Sequence, residues 1–322
     1  MLLYSVALLA GFLVLFKSAD HFVIGSIATA NNLKISPMVI GLTVVAIGTS
    51  APEIFVAGAA SLQDQADLAV GNAIGSNIAN VGMVLGITAL IVPLKCQPEL
   101  LRKDIPILIV VTLCAGAALY DLHLNLLDGL LLLLGLALFV ARIGLEHRSS
   151  VSMDEVAEMA EIDEVPSMTT ARAISMLLLS LVFLLLSAEL LVWAVVQIAT
   201  TLGVSELFIG LTVIAVGTSL PELVVCVTSA LKHQTDLALG NIIGSNIFNI
   251  LAVLSIPCIL APQSFPVDIL YRDYGTMFFM TALMVLMAYG LLGRHRITRI
   301  EGVVLLCCWV GYLVTLYHFA MR

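Results

Sequence analysis

Two carboxylates lie in the middle of apolar segments, each directly after a proline. Glu53 follows Pro52 in the segment GTSAPEIFVA, and Glu222 follows Pro221 in the segment GTSLPELVVC. An ionisable side chain inside a membrane-spanning segment is costly and usually marks an ion or proton pathway. Proline donates no backbone hydrogen bond and crowds the preceding helical turn. Each pair therefore predicts an interrupted helix whose freed carbonyl groups lie beside a carboxylate.

Hydroxyl and amide side chains accompany both glutamates. Thr49 and Ser50 precede Glu53, and Ser76 and Asn80 lie one helical turn apart in the next apolar segment. The corresponding residues near Glu222 are Thr218, Ser219, Ser245 and Asn249. All these groups offer oxygen, which hard cations such as calcium, magnesium and sodium prefer. If both sets meet, two carboxylates can balance one divalent cation or two sodium ions, which gives a physical basis for exchange.

The elements that must position these residues are membrane-spanning helices. The 322-residue chain is 61% hydrophobic and 11% charged, and its mean hydropathy is +1.10. Soluble domains carry roughly 25% charged residues. Continuous apolar runs of about 18 residues or more recur along the chain, which indicates transmembrane helices rather than a barrel. The net charge of −8 comes largely from one acidic segment, so we expect a lipid-bilayer environment and no nucleic-acid partner.

The chain contains an internal repeat. Residues 41–93 and 210–262 align without a gap at an offset of 169, with about half of the positions identical. Such self-similarity indicates a repeat architecture. Helices are predicted near 2–28, 37–60, 67–92, 105–120, 127–142, 173–199, 206–230, 237–261, 275–292 and 300–319. Because five is an odd number of crossings, the second half enters the membrane in the opposite orientation to the first. Secondary transporters are built from inverted repeats of this kind, and their substrate site lies where the repeats meet.

The predicted fold is thus an all-α membrane protein of ten transmembrane helices, arranged as two inverted five-helix repeats. Residues 1–145 form the first repeat, 146–172 an acidic cytoplasmic linker, and 173–322 the second repeat. The first apolar segment has no basic leader and no cleavage site, so it is interpreted as a retained spanning helix.

Basic residues predict the orientation, because they concentrate on the cytoplasmic side. With the N-terminus outside, the external side holds Arg272 and Arg322, and Lys17 lies within the first span. The cytoplasmic side then holds Lys34, Lys95, Arg102, Lys103, Arg142, Arg148, Arg172, Lys232, Arg294, Arg296 and Arg299. We expect a multi-pass protein of the cell membrane, the inner membrane in a bacterium, with a cytoplasmic central linker.

Other polar residues have less specific interpretations. Asp20 and Glu189 occupy matching places in the first helix of each half and are interpreted as structural polar contacts. Asp67 and Asp236 fall at helix starts, where they could cap the helix or form an ion vestibule. The six cysteines show no metal-ligand spacing, and neither do the histidines.

The motifs GTSAPE…GSNIAN and GTSLPE…GSNIFN resemble the paired alpha-repeats of the calcium/cation antiporter superfamily, in particular its prokaryotic sodium/calcium exchangers. The resemblance covers nearly the whole chain. It implies exchange of sodium for calcium, with calcium extrusion, by alternating access through sliding of the first and sixth helices. It implies calcium and sodium ions as transported partners, no cofactor and no obligate protein partner.

The resemblance also implies a set of ion ligands. In the family, the two glutamates and neighbouring threonine carbonyls hold calcium, while sodium sites share the glutamates and use serines and alanine carbonyls. The matching positions are Ala46, Thr49, Ser50, Glu53, Ser76, Asn80, Ala215, Thr218, Ser219, Glu222, Ser245 and Asn249. Potassium-dependent relatives carry aspartate at the position of Asn249, so we expect no potassium co-transport.

Three other functions remain to be compared with sodium/calcium exchange. The two glutamates could titrate, which would allow a proton/calcium exchanger or an exchanger of another divalent cation. A passive channel is a further alternative, although a doubled and interrupted site favours a carrier. An intramembrane enzyme has no support, because no activated nucleophile, paired catalytic aspartates or zinc motif is present.

Overall fold

The computed structural model describes residues 2–146, 168–202, 215–290 and 295–320. Most of the predicted linker and the first part of the predicted helix 206–230 lie outside these residues. Within them the chain forms ten helical segments: α1 Leu2–Leu33, α2a Pro37–Thr49 with α2b Ala51–Leu62, α3 Ala66–Ile91, α4 100–119, α5 Leu126–Glu146, α6 Thr170–Thr201, α7a Ala215–Thr218 with α7b Leu220–Leu231, α8 Thr235–Leu260, α9 269–289 and α10 Arg299–Ala320. The all-α membrane fold is confirmed.

Six of these helices, α1, α3, α5, α6, α8 and α10, are long and apolar enough to cross a membrane. The pair α2a and α2b makes a seventh crossing if the two bent parts count as one span. The central helices α3 and α8 are mostly buried, whereas α1, α5 and α10 expose long rows of leucine, valine and phenylalanine. This distribution is typical of a membrane protein, whose outer helices face lipid rather than water.

Helices α4 and α9 begin five to six residues before the predicted starts at 105 and 275. The early part of each is a π-helical turn, Leu100–Asp104 and Ile269–Tyr274. The charged residues in these turns suggested connecting loops, but the carboxylates of Asp104 and Asp273 are paired within the protein. The buried Asp104 accepts a hydrogen bond from Arg142 of α5 at 3.3 Å.

Its repeat mate, the buried Asp273, is held in a similar way. Its carboxylate contacts the Arg272 guanidinium at 2.7 Å and accepts a hydrogen bond from the Tyr312 hydroxyl of α10 at 2.9 Å. A buried carboxylate is tolerated when it is paired and hydrogen-bonded. Both π turns therefore belong to their helices, each tied to the last helix of its own half.

Contacts between the halves occur in repeat-related pairs. The strand β1 (Leu94–Lys95) pairs antiparallel with β2 (Arg296–Ile297), and the Cys96 N–H donates to the His295 carbonyl at 2.8 Å. The repeat mate of this last bond also forms, since the Phe265 N–H donates to the Leu122 carbonyl at 3.1 Å. Mutual exchange of equivalent contacts is what a twofold relation between two copies requires.

Close helix contacts follow the same relation. A Cβ at Gly302 of α10 would lie 2.7 Å from the Gly86 carbonyl oxygen of α3. The repeat mate of this contact joins Gly129 of α5 to the Ser255 carbonyl of α8, where the corresponding distance is 3.2 Å. Small residues permit such approaches between membrane helices. The last helix of each half therefore packs on the third helix of the other half.

We predict that Gly302→Ala lowers the stability of the folded protein by about 1–3 kcal/mol, because the added methyl group would overlap backbone atoms that cannot move aside. Gly311→Ala in the same helix is the matched control, since a Cβ there meets nothing within 4 Å. Thermal unfolding of the detergent-solubilised variants measures the difference. Equal unfolding temperatures for the two variants would contradict this packing.

Candidate cation site

The second helix of each half is interrupted where the sequence predicted it. Ser50 has φ −83° and ψ 8°, and α2a and α2b meet there at an angle of 42°. Ser219 has nearly the same backbone angles, φ −92° and ψ 7°, between α7a and α7b. A proline in the first turn of each following helix cannot donate the hydrogen bond that would continue the preceding helix. Each break thus opens the backbone beside a glutamate.

Glu53 and Glu222 lie in the first turn of α2b and α7b, and both are fully buried. Each carboxylate accepts a hydrogen bond from its own backbone N–H group. The start of a helix carries partial positive charge, which favours a carboxylate there. The interruption of the helix therefore lowers the free-energy cost of burying each negative charge.

The two glutamates lie close together, at the junction of the two halves. Their carboxylates are near enough to repel each other electrostatically. Ser76 of α3 donates its hydroxyl to Glu53 Oε1 at 3.4 Å, within the first half. Ser50, by contrast, donates across the junction to Glu222 Oε1 at 3.4 Å. The structure thus brings both predicted carboxylates and the hydroxyls of Ser50 and Ser76 into one site.

Asn80 and Asn249 occupy equivalent places in α3 and α8. Each is the first residue of a π-helical turn, Asn80–Leu85 and Asn249–Val253, and both side chains are buried. Turns of this kind are rare and occur frequently at functional sites. The predicted one-turn spacing from Ser76 to Asn80 and from Ser245 to Asn249 holds, because each serine lies in the α-helical turn directly before the π turn.

Several buried oxygen atoms in this region have no hydrogen-bond donor within the protein. They are Glu53 Oε2, Glu222 Oε2, Asn80 Oδ1, Asn249 Oδ1, Ser219 Oγ and Ser245 Oγ. Buried polar atoms are normally satisfied, so a cluster of unsatisfied oxygens calls for an explanation. Oxygen-rich surroundings with two carboxylates suit a hard cation. In the described part of the chain, histidine, cysteine, aspartate and glutamate form no group of three or more that could hold a metal ion.

The remaining predicted residues also lie at the breaks. Thr49 is buried and donates its hydroxyl to Asn241 Oδ1 at 3.2 Å. The Ala46 carbonyl accepts a hydrogen bond from the Ser50 N–H at 3.0 Å, so it is not a free carbonyl in this conformation. Thr218 is half-buried at the end of α7a, and Ala215 is the first described residue of that segment.

Four asparagines that the sequence analysis did not select take part in the site. Asn72 donates to the Glu53 carbonyl at 3.1 Å, and Asn241 accepts from Thr49, as described above. Asn77 and Asn246 join α3 and α8 across the junction, through a bond from Asn77 Nδ2 to the Asn246 carbonyl at 3.2 Å. All four belong to the doubled motifs GNAIGSN and GNIIGSN. Their repetition was the signal that could have revealed them.

Glycines bring α2a against α8. A Cβ at Gly41 would lie 2.7 Å from the Leu237 carbonyl oxygen, and a Cβ at Gly244 would lie 2.7 Å from the Ala46 side chain. The glycines of the α3 motif, Gly71, Gly75 and Gly82, are also expected to permit close helix approach. This expectation is confirmed at Gly82, where a Cβ would overlap the Trp309 side chain of α10, and it is wrong at Gly71 and Gly75, where a Cβ meets no described atom within 4 Å. Close approach to α2a therefore occurs on the α8 side of the site.

The two glutamate-bearing half-helices are covered unequally. Val224 of α7b is 6% exposed because α1 packs over it through a cluster that includes Phe22. The repeat mate Phe55 of α2b is 76% exposed, and α6 makes little contact with α2b. Among the described residues, the coverage by α1 and α6 thus departs from a twofold relation, since α1 packs over α7b and α6 does not pack over α2b in the same way.

The remaining acidic residues lie outside this cluster. Asp20 of α1 forms an ion pair with Lys232 at 2.7 Å, as expected of a structural polar contact. Its repeat mate Glu189 is exposed on α6. Asp67 and Asp236 lie in the first turns of α3 and α8.

Known proteins were compared with this chain in sequence and structure. A family model described as sodium/calcium exchanger protein matches residues 3–144 and 172–318. The putative antiporter CaxA of Alkalimonas amylolytica is 44% identical over 98% of this chain and 99% of its own length. The sodium/calcium exchanger MaX1 of Methanosarcina acetivorans is 34% identical over 97% of each chain.

A solved structure is similar over nearly the whole chain. The sodium-calcium exchanger NCX_Mj, soaked with sodium and without calcium, superposes with a TM-score of 0.83 at 30% identity. The match covers 98% of this chain and 100% of that chain. These similarities confirm the resemblance carried by the doubled motifs, and they agree with a transporter rather than an enzyme. The chain belongs to the sodium/calcium exchanger protein family.

Proposed function

We propose that this chain is a secondary active antiporter that exchanges sodium for calcium, with calcium extrusion as its main direction. The observation that carries the proposal is the pair of fully buried glutamates, one from each repeat, beside unpartnered oxygens. Membership of the exchanger family supports the same function. We further propose that the exchange needs no cofactor and no obligate protein partner.

The charge of the site explains how unlike cations can compete for it. Two buried carboxylates without a counter-charge are unfavourable, so the site favours states in which cations balance them. One calcium ion or two sodium ions supply the balancing charge. Since both use Glu53 and Glu222, occupation by one kind of ion excludes the other. Transport of one cation thus becomes coupled to transport of the other.

We propose the following residues as the ion ligands: Glu53, Glu222, Thr49, Thr218, Ser50, Ser219, Ser76, Ser245, Asn80, Asn249, Ala46 and Ala215. The glutamates, the amide oxygens and the unpartnered serine hydroxyls have the best support, since they combine burial with free acceptor atoms. The Ala46 carbonyl could join the site only after the bond from the Ser50 N–H weakens. With Asn249 neutral, the site has two carboxylates, and we propose that potassium is not co-transported.

We propose residues 1–145 and 173–322 as inverted membrane repeats, joined by the acidic linker 146–172. The N-terminus would lie outside and the linker in the cytoplasm of a cell, in a bacterium at the inner membrane. The contacts between connections support this arrangement, because segments assigned to the same side meet. Leu94 pairs with Ile297 on the proposed cytoplasmic side, and His123 with Ser264 on the proposed outer side.

In alternating access, the half-helices α2b and α7b would be covered in turn by a neighbouring long helix. In this conformation α1 seals α7b, while α2b is left open. In the other conformation, α6 would cover α2b and α7b would open, since inverted repeats can exchange roles. The long pair α1 and α6, which packs largely on itself, would move as a unit.

We predict that calcium uptake into inverted membrane vesicles follows an imposed sodium gradient, because sodium and calcium share the two glutamates. Radioactive calcium measures the uptake, with vesicles lacking the protein as the control. Added potassium should change neither rate nor extent. Uptake that follows a pH gradient and ignores sodium would contradict the proposed counter-ion, and downhill uptake at channel rates would contradict a carrier.

We predict that Glu53→Gln and Glu222→Gln each lower the exchange rate by roughly 100-fold or more, since removing one buried charge leaves the cation unbalanced. Glutamine preserves shape and hydrogen bonding, so both variants should still insert. Glu189→Gln is the matched control, because this exposed glutamate of α6 lies outside the site. Exchange in vesicles, normalised to inserted protein, measures the effect. Full activity of either site variant would refute the assignment.

A further inference from the structure

A second layer of asparagines links the two halves directly behind the proposed ligands. Asn80 Nδ2 of α3 donates to Asn246 Oδ1 of α8 at 3.2 Å. Both side chains are almost completely buried, at 1% exposure each. This bond crosses the junction between the repeats, so it connects a proposed ligand of one half to a non-ligand residue of the other.

The hydrogen bond determines which end of the Asn80 amide is available. A side-chain amide has an oxygen acceptor at one end and an NH₂ donor at the other. A hard cation binds only the oxygen. With Nδ2 held by Asn246, the buried Oδ1 of Asn80 has no donor within the protein. It lies one turn from Ser76, whose hydroxyl contacts Glu53. A rotated amide would instead present its NH₂ group to the cation.

We infer that Asn246 is a positioning residue, whose side-chain oxygen fixes the Asn80 amide so that Oδ1 faces the transported cation. This inference rests on the proposed function, in which Asn80 is a ligand. Asn246 itself makes no contact with the carboxylates, and its Nδ2 has no partner. Its side-chain oxygen is therefore the atom that acts on the site.

The repeat-related residues show that packing alone does not impose this bond. The mate of the Asn80–Asn246 bond would run from Asn249 Nδ2 to Asn77 Oδ1. Both of these atoms lack a partner, although both residues are buried. Asn77 instead donates to the Asn246 carbonyl at 3.2 Å and contacts Met277 Sδ at 3.4 Å. In this conformation, one of the two ligand amides is held and the other is not.

The test is a double-mutant cycle on calcium binding. Asn246→Leu keeps the branched shape of the side chain and removes the acceptor, and Asn80→Asp places oxygen at both ends of the ligand side chain. The probe is calcium itself, detected by the calcium dependence of thermal unfolding of the purified protein and by the KM for calcium in exchange. Coupled residues give non-additive effects in such a cycle.

We expect Asn246→Leu to weaken apparent calcium affinity by about tenfold in the native background, as for loss of one buried hydrogen bond to a ligand. The maximal exchange rate should change by less than about threefold. In the Asn80→Asp background the same substitution should change calcium affinity by less than about twofold. An equal weakening in both backgrounds would mean that Asn246 acts only on packing, which would overturn the inference.

Asn246→Asp provides an independent test if Asn246→Leu fails to fold. It retains an acceptor oxygen toward Asn80, replaces the unpartnered Nδ2 with oxygen and adds negative charge near the site, so calcium affinity should be no weaker than in the native protein. Weakening as large as in Asn246→Leu would overturn the inference. Asn80→Leu distinguishes failure of the proposed ligand set from failure of the inference about Asn246. If Asn80→Leu leaves calcium binding unchanged, both the assignment of Asn80 as a ligand and the inference are refuted. If it weakens binding while Asn246→Leu does not, only the role of Asn246 is refuted.

Discussion

The structure depends on keeping two carboxylates side by side in an apolar interior. Glu53 and Glu222 are fully buried and repel each other. Helix starts, backbone N–H groups and serine hydroxyls offset part of the desolvation cost, but each carboxylate retains an oxygen without a donor. In the proposed function a cation supplies the missing charge, so that the free-energy cost of the empty pair favours binding. The interrupted helices place each carboxylate at a helix start, which provides part of this compensation.

Each half of the chain provides only part of this site, so the junction between the halves carries the function. Ser50 of the first half binds Glu222 of the second, and Asn80 is held by Asn246. Elsewhere the halves exchange equivalent contacts, as at Cys96 and Phe265. Among the described residues, departures from this relation include the cover of α2b and α7b, the asparagines, and the hydroxyls of Ser219 and Ser245, which lack the carboxylate partners of Ser50 and Ser76. A twofold scaffold with local asymmetry is what two alternating states of one fold require.

Much of the fold and the site core followed from the sequence, because the governing forces act on local patterns. Apolar runs predicted the helices, and the doubled Pro-Glu pairs predicted both breaks. The π turns before Ile105 and Gly275 were missed because charged residues are typical of loops. In the structure, Asp104 and Asp273 are instead paired with residues of other helices. Asn246 belongs to a doubled motif, but its role was missed because it is set by a partner 166 residues away in the chain. Tertiary pairing of this kind leaves no mark on local periodicity.

The central claim is that the two glutamates hold one transported cation jointly. Anomalous X-ray scattering from crystals grown with calcium tests it most directly, because it locates the ion independently of the protein atoms. The account predicts one calcium peak about 2.3–2.6 Å from carboxylate oxygens of both Glu53 and Glu222. A peak bound by only one of them, or located away from both, would contradict it.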